Sequence, residues 1–149
     1  MYRQHNPFVV PANRDALSLR PSVTENEISK QIVDSAYRIH TALGPGLLES
    51  VYEAVLAHEL EERGLISVRQ QSFPVVYKGV QLETAFRADL IVEDKVIVEI
   101  KSIEAVAHVH KKQLLTYLRL ADKRLGLLIN FNVALIKDGI TRIANAMPD

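Results

Sequence analysis

Asp89, Glu99 and Lys101 are the residues of this chain whose types and spacing best suit chemistry. They fall in two strand-like runs, Val80 to Val92 and Val96 to Ile100, separated by Glu93-Asp94-Lys95. If those three residues form a hairpin loop, Val92 faces Val96 and the pairing continues to Asp89 opposite Glu99. Directly opposed side chains have Cβ atoms about 4.5–5.5 Å apart, so two carboxylates placed this way repel. A divalent cation converts that repulsion into coordination, because hard carboxylate oxygens suit magnesium or manganese. In the same register Arg87 faces Lys101, and alternation puts Glu99 and Lys101 on one face with Arg87 and Asp89, with Val98 and Ile100 on the other. Lys101 would then stand beside a metal-bound water, orienting it and offsetting negative charge that develops in a transition state. The residues alone leave a competing reading open. Glu and Lys two apart on a strand are common on solvated faces, and a two-residue loop at Asp94-Lys95 would place Asp89 across from Ile100 and separate the acids.

These strands need elements to position them. Thr24 reads as an N-cap with Glu27 as its capping-box partner, and Ile28, Ile32, Ala36, Ile39 and Leu43 follow on one helical stripe. Gly44-Pro45-Gly46 ends that helix. A second helix is expected from about Leu47 to Arg63, with Leu48, Val51, Val55, Leu56 and Leu60 inward and Gly64 as its stop. Val68 to Tyr77 is a further strand, parted from the next by Lys78-Gly79. A third helix spans about His108 to Ala121, with Leu114, Leu115 and Leu118 as its apolar side. Gly126 to Asn130 reads as a buried strand, and Val133 to Ile143 as a hairpin turning at Asp138-Gly139. Residues 1–24 contain Pro7, Pro11 and Pro21 and no periodicity, so they read as an extended or disordered N-terminal arm before a single domain over 25–149. The order helix, helix, three strands, helix, strand, hairpin favours a mixed sheet flanked by helices.

Composition narrows the chemistry. A chain of 149 residues suits one hydrophobic core. It has no cysteine, which excludes disulfides, zinc-thiolate sites and thiol catalysis. The 18 basic and 18 acidic residues cancel, against a polycation that binds nucleic acid by bulk charge. Acidic metal ligands beside a basic groove would give the same sum. Lys111, Lys112, Arg119, Lys123 and Arg124 make the third helix region the most basic, either a solvated face or a phosphate-tracking one. His108 and His110 read as polar surface or phosphate contacts, and His40 and His58 as helix residues without a catalytic part. No apolar run reaches the roughly 20 residues that span a bilayer, and Met1 to Pro7 lacks the apolar core of a signal peptide. A cytoplasmic protein with no membrane partner is expected.

Gly46-Leu47-Leu48-Glu49-Ser50-Val51-Tyr52 reproduces the signature G-x-x-E-x-x-Y, and Phe86-Arg87-Ala88-Asp89, Val98-Glu99-Ile100-Lys101 and Gln113-Leu114-Leu115-Thr116-Tyr117 follow it. With these segments the stretch from Ile39 to Ile143 resembles the GxxExxY proteins, which are placed in the PD-(D/E)XK nuclease superfamily. The resemblance implies an α/β, restriction-endonuclease-like (PD-(D/E)XK) fold, a mixed β-sheet flanked by α-helices. It implies that Asp89 and Glu99 bind Mg2+ (or Mn2+) with the Ile100 carbonyl, that Glu49 is a helix-borne acid completing the metal site, and that Lys101 is the catalytic lysine. Gln113 and Tyr117 would correspond to the Q-x-x-x-Y element of the RecB-like branch, which contacts substrate or supports the site. The implied activity is metal-dependent hydrolysis of nucleic-acid phosphodiester bonds, in DNA rather than RNA. The alternative is a nucleic-acid-binding or accessory module that keeps the fold with little or no turnover. A third reading, a dimer-forming structural protein with solvated acids, is weaker, and a homodimer is compatible with each.

The residues themselves admit these roles. Glu49 lies in a first helical turn, where the dipole favours an anion, although a plain N-terminal helix acid fits the same place. Tyr52 and Glu53 neighbour it on the helix surface, with Tyr52 expected as a core aromatic whose hydroxyl reaches the site edge. Gln113 and Tyr117, at i and i+4, share a face that the leucines leave open, which on spacing alone is equally an ordinary polar face.

Overall fold

The structure, a computed structural model, describes residues 22–148. Residues 1–21, most of the expected N-terminal arm, lie outside the described residues. Helix α1 (Glu25–Leu43) starts where the capping box predicts. The Thr24 amide donates to Glu27 Oε2 at 3.1 Å and the Glu27 amide donates to Thr24 Oγ1 at 3.2 Å. Ile28, Ile32, Ala36 and Ile39 are buried, whereas Leu43, in the last turn, is exposed. Gly44, with φ +70°, ends the helix.

Helix α2 (Glu49–Glu62) turns Val55, Leu56 and Leu60 to the core as expected and departs from the expected face at its start. Its buried residues are Tyr52, Glu53, Leu56 and Leu60, while Leu48 and Val51, expected inward, are exposed. Leu48 is the N-cap and precedes the first turn, and Val51 sits about 100° around the helix from Tyr52. Tyr52 sets this rotation. Its ring stacks on Phe131 with centroids 4.3 Å apart, its hydroxyl donates to the Gly44 carbonyl, and the Leu47 amide donates to that hydroxyl at 3.2 Å.

The described residues form a five-stranded sheet in the order β1 (Ser67–Tyr77), β2 (Val80–Val92), β3 (Val96–Lys101), β4 (Leu125–Asn130) and β5 (Ile140–Ala144). All neighbours are antiparallel except β3 and β4, which run parallel and are joined through α3 (His108–Ala121). Helices α1 and α2 pack on one face against Leu90, Val92, Val98, Ile100 and Leu127. Helix α3 covers the other face through Leu114 and Leu118, against Ile91, Ile97 and Leu128. This is the expected mixed α/β sheet flanked by helices, of the restriction-endonuclease-like kind.

The three-residue loop between β2 and β3 also forms. Val92 pairs with Val96 and Ile91 with Ile97, Glu93 and Asp94 take φ of +53° and +56°, and the Lys95 amide donates to the Val92 carbonyl at 3.0 Å. The hairpin expected over Val133 to Ile143 does not. Residues Ile136–Gly139 form a 3-10 turn, and β5 pairs back onto β4. Gly139 is a glycine of close approach: a Cβ there would stand 2.1 Å from the Asn130 carbonyl oxygen. Gly139→Ala is expected to lower stability by about 1–3 kcal/mol, the usual cost of overpacking, read from urea unfolding against the parent protein.

Candidate active site

The registered pairs between β2 and β3 end at Leu90 and Val98. One step further, side chains replace the backbone ladder. The Asp89 amide donates to Glu99 Oε1 at 3.3 Å, and the Ile100 amide donates to Asp89 Oδ2 at 2.8 Å. Each carboxylate is thus held by the main chain of the other's strand. The two acids expected opposite one another are brought together in this form.

The alternation of β2 slips by one residue at the same point. Phe86, Ala88 and Ile91 lie on the α3 face, whereas Leu90 and Val92 lie on the α1–α2 face. Strand β3 keeps strict alternation: Ile97 belongs to the α3 face and Val96, Val98 and Ile100 to the other, so Glu99 and Lys101 follow Ile97. Arg87, between Phe86 and Ala88, is therefore on the face away from Lys101, contrary to the expected Arg87–Lys101 pairing. The extrapolated register failed because Asp89 spends its carboxylate on the β3 backbone.

Tyr117 reaches this pair from α3, with Gln113 bonded to it. Tyr117 stacks on Phe86 at 4.1 Å and is hydrogen-bonded to Gln113. Burial pushes the Tyr117 hydroxyl pKa up, and the nearby charges of Glu99 and Asp89 push it further, against the Gln113 bond. Lys101, half-buried at the end of β3 opposite Asn130 on β4, acts electrostatically on Glu99 and partly offsets its rise.

Glu49 comes from the start of α2. Its Oε1 accepts from the Ser102 amide at 3.2 Å, and Ser102 Oγ donates to the Leu47 carbonyl at 2.6 Å, so the start of α2 is tied to the residue after Lys101. Among the described residues no three His, Cys, Asp or Glu side chains are gathered closely enough to hold a metal ion. Asp89 and Glu99 come together, and Glu49 reaches the same strand end from the α2 side.

Several supporting residues were given no role from the sequence. Glu53, only 6 % exposed, pairs with Arg69 at 2.9 Å and bonds to Gln70, which also bonds to Asp89. Its place one helical turn after Glu49 was the available signal. Buried Asn130 accepts from the Ile103 amide at 3.1 Å and donates to the Ile103 carbonyl at 2.9 Å, clamping the segment beyond Lys101. Nothing in the sequence pattern marks it. Three histidines have partners of their own: His110 Nδ1 accepts from the Ala107 amide at the start of α3, His40 Nε2 bonds to the Val133 carbonyl, and His58 pairs with Glu62.

The fold is a mixed sheet between helices, with Asp89 on β2 beside Glu99 on β3 and Lys101 at the end of β3. A family model described as the PD-(D/E)XK nuclease superfamily matches residues 26–143, and the chain belongs to that superfamily. No curated protein and no solved structure matches it. Among the described residues no helix is long and apolar enough to cross a membrane.

Asp89 and Glu99 bring two carboxyl groups together, the kind of hard oxygen donor that divalent cations take. Burial and the neighbouring Asp89 charge push the Glu99 carboxyl pKa up from 4.5 to about 8, so in the metal-free protein it keeps its proton at neutral pH. An added cation would favour the ionised form. The unfolded chain releases this proton near 4.5 and the folded chain near 8, so Glu99 stabilises the fold fully at low pH and progressively less as pH rises between those values. Urea midpoints of the metal-free protein between about pH 5 and 8 should decline for this reason, and Glu99→Gln should flatten the decline. An equally steep decline in the variant would remove Glu99 as its source.

Proposed function

We propose that this chain is a magnesium- or manganese-dependent nuclease that hydrolyses phosphodiester bonds, with DNA as its substrate. The observation that carries this reading is the Asp89–Glu99 pair, two carboxyl groups held side by side on the backbones of neighbouring strands, with Lys101 on the Glu99 face. A purely structural sheet has no use for such a pair, whereas a hard cation does. Asp89, Glu99 and the Ile100 carbonyl would hold the ion, with Glu49 adding an acid beside Ser102. When bound, the ion supplies charge neutralisation and lowers the pKa of its water.

The remaining work falls to the chain's own residues. Lys101 orients the attacking water and offsets the charge that develops on phosphate. Tyr117, bonded to Gln113 and stacked on Phe86, would border the Glu99 side of the site. The Gly46 to Tyr52 segment and the Gln113–Tyr117 pair support placing the chain with the GxxExxY proteins, in the RecB-like branch. The cysteine-free composition is compatible with work in the cytoplasm.

Purified protein with Mg2+ or Mn2+ should degrade DNA, and Asp89→Ala and Lys101→Ala should each lower the rate by about 100-fold or more while remaining folded. Undiminished cleavage by both variants would overturn the assignment. Metal binding without cleavage of single- or double-stranded DNA or RNA would instead favour an accessory module built on the nuclease fold.

A further inference from the structure

The two oxygens of Asp89 are held from different sides. Oδ2 accepts from the Ile100 amide at 2.8 Å, and Oδ1 accepts from Gln70 Nε2 at 3.2 Å. The same Gln70 nitrogen donates to Glu53 Oε1. Glu53 Oε2 in turn accepts from Arg69 Nε at 3.2 Å and Nη2 at 2.9 Å. An amide nitrogen carries two hydrogens, and here each goes to a different carboxylate. A glutamine that served only to satisfy buried Glu53 would need no contact with Asp89.

The backbone carries a second, independent sign. Arg69 and Gln70 are consecutive residues of β1, and consecutive side chains of a regular strand point to opposite faces. Both nevertheless reach Glu53. They do so because Gln70 takes φ +53°, while Arg69 and Gln71 on either side pair in regular register with Leu90 and Ala88. A non-glycine residue in this region is uncommon and strained, and it persists where the surroundings hold it. Here the strain turns the Gln70 amide onto Glu53 and Asp89 together.

We infer that Gln70 and Glu53 are positioning residues: buried Glu53 on α2 fixes the Gln70 amide, and Gln70 aims the Asp89 carboxylate. Their effect on metal affinity, exerted without touching the ion, rests on the metal-centre reading above. Gln70→Asn and Gln70→Gly test this, because both residues accept a left-handed φ and neither spans the gap between the two acids. In the metal-free full-length protein, the Ile100 amide should lose protection from hydrogen exchange in both variants, while the other β3 amides keep theirs. Calorimetry with MnCl2 should show affinity lower by roughly 10–100-fold, and Glu53→Gln, which keeps the shape but not the charge, should shift both readouts less in the same direction. Unchanged Ile100 protection with unchanged Mn2+ affinity overturns the inference, even if the melting temperature falls, since that result leaves Gln70 a structural task only. If the parent protein binds no Mn2+, the metal-centre reading fails by itself, and Ile100 exchange still decides whether Gln70 positions Asp89.

Discussion

Two neighbouring carboxylates on adjacent strands repel, and the arrangement around Asp89 and Glu99 is organised by the need to contain that repulsion. Backbone amides do part of the work, since the Ile100 amide serves Asp89 and the Asp89 amide serves Glu99. A proton does another part, held on Glu99 by burial and by the charge beside it. The strand ladder gives way to accommodate both, and β2 changes face at Asp89. A sheet built for stability alone would continue its backbone bonds through this point.

The helices meet this pair from opposite layers. From α3, Tyr117 comes down on the Glu99 side, steadied by the stack through Phe86 to Phe73. From α2, Glu53 reaches Asp89 through Gln70, while Glu49 reaches Ser102 just past Lys101. Tyr52 is the hinge of this side, because its hydroxyl ties the turn after α1 to the start of α2 and so sets where both acids fall. Lys101, Ser102 and Asn130 all lie where the parallel strands β3 and β4 end, the place where open α/β sheets bind ligands.

Much of the fold was legible in residue patterns. The capping box at Thr24, the Gly44-Pro45-Gly46 break, the Glu93-Asp94-Lys95 loop and the α3 boundaries all stand in the structure as read, because each depends on local geometry that a few adjacent residues dictate. Part of the inward face of α2 was misjudged, because hydrophobic spacing put Leu48 and Val51 inside and ignored Glu53. Glu53 is buried by virtue of Arg69 and Gln70, far along the chain, while Tyr52 takes its expected core place against Phe131. Gly139 resembled a hairpin glycine because a close approach to Asn130 leaves no local trace.

The sequence by itself offered a three-residue loop at Glu93-Asp94-Lys95 that brings Asp89 to Glu99, with alternation along β3 putting Lys101 on the Glu99 face, and it left a two-residue loop as the competing register. Tertiary structure decided the rest. It set the slip that turns Arg87 away from Lys101, the bond that ties Glu49 to the Ser102 amide, and the link from Glu53 through Gln70 to Asp89. The physical reason is reach. Loop length and alternation act between near neighbours, whereas the partners of a buried carboxylate are chosen by whichever distant donors the packed layers bring within about 3 Å.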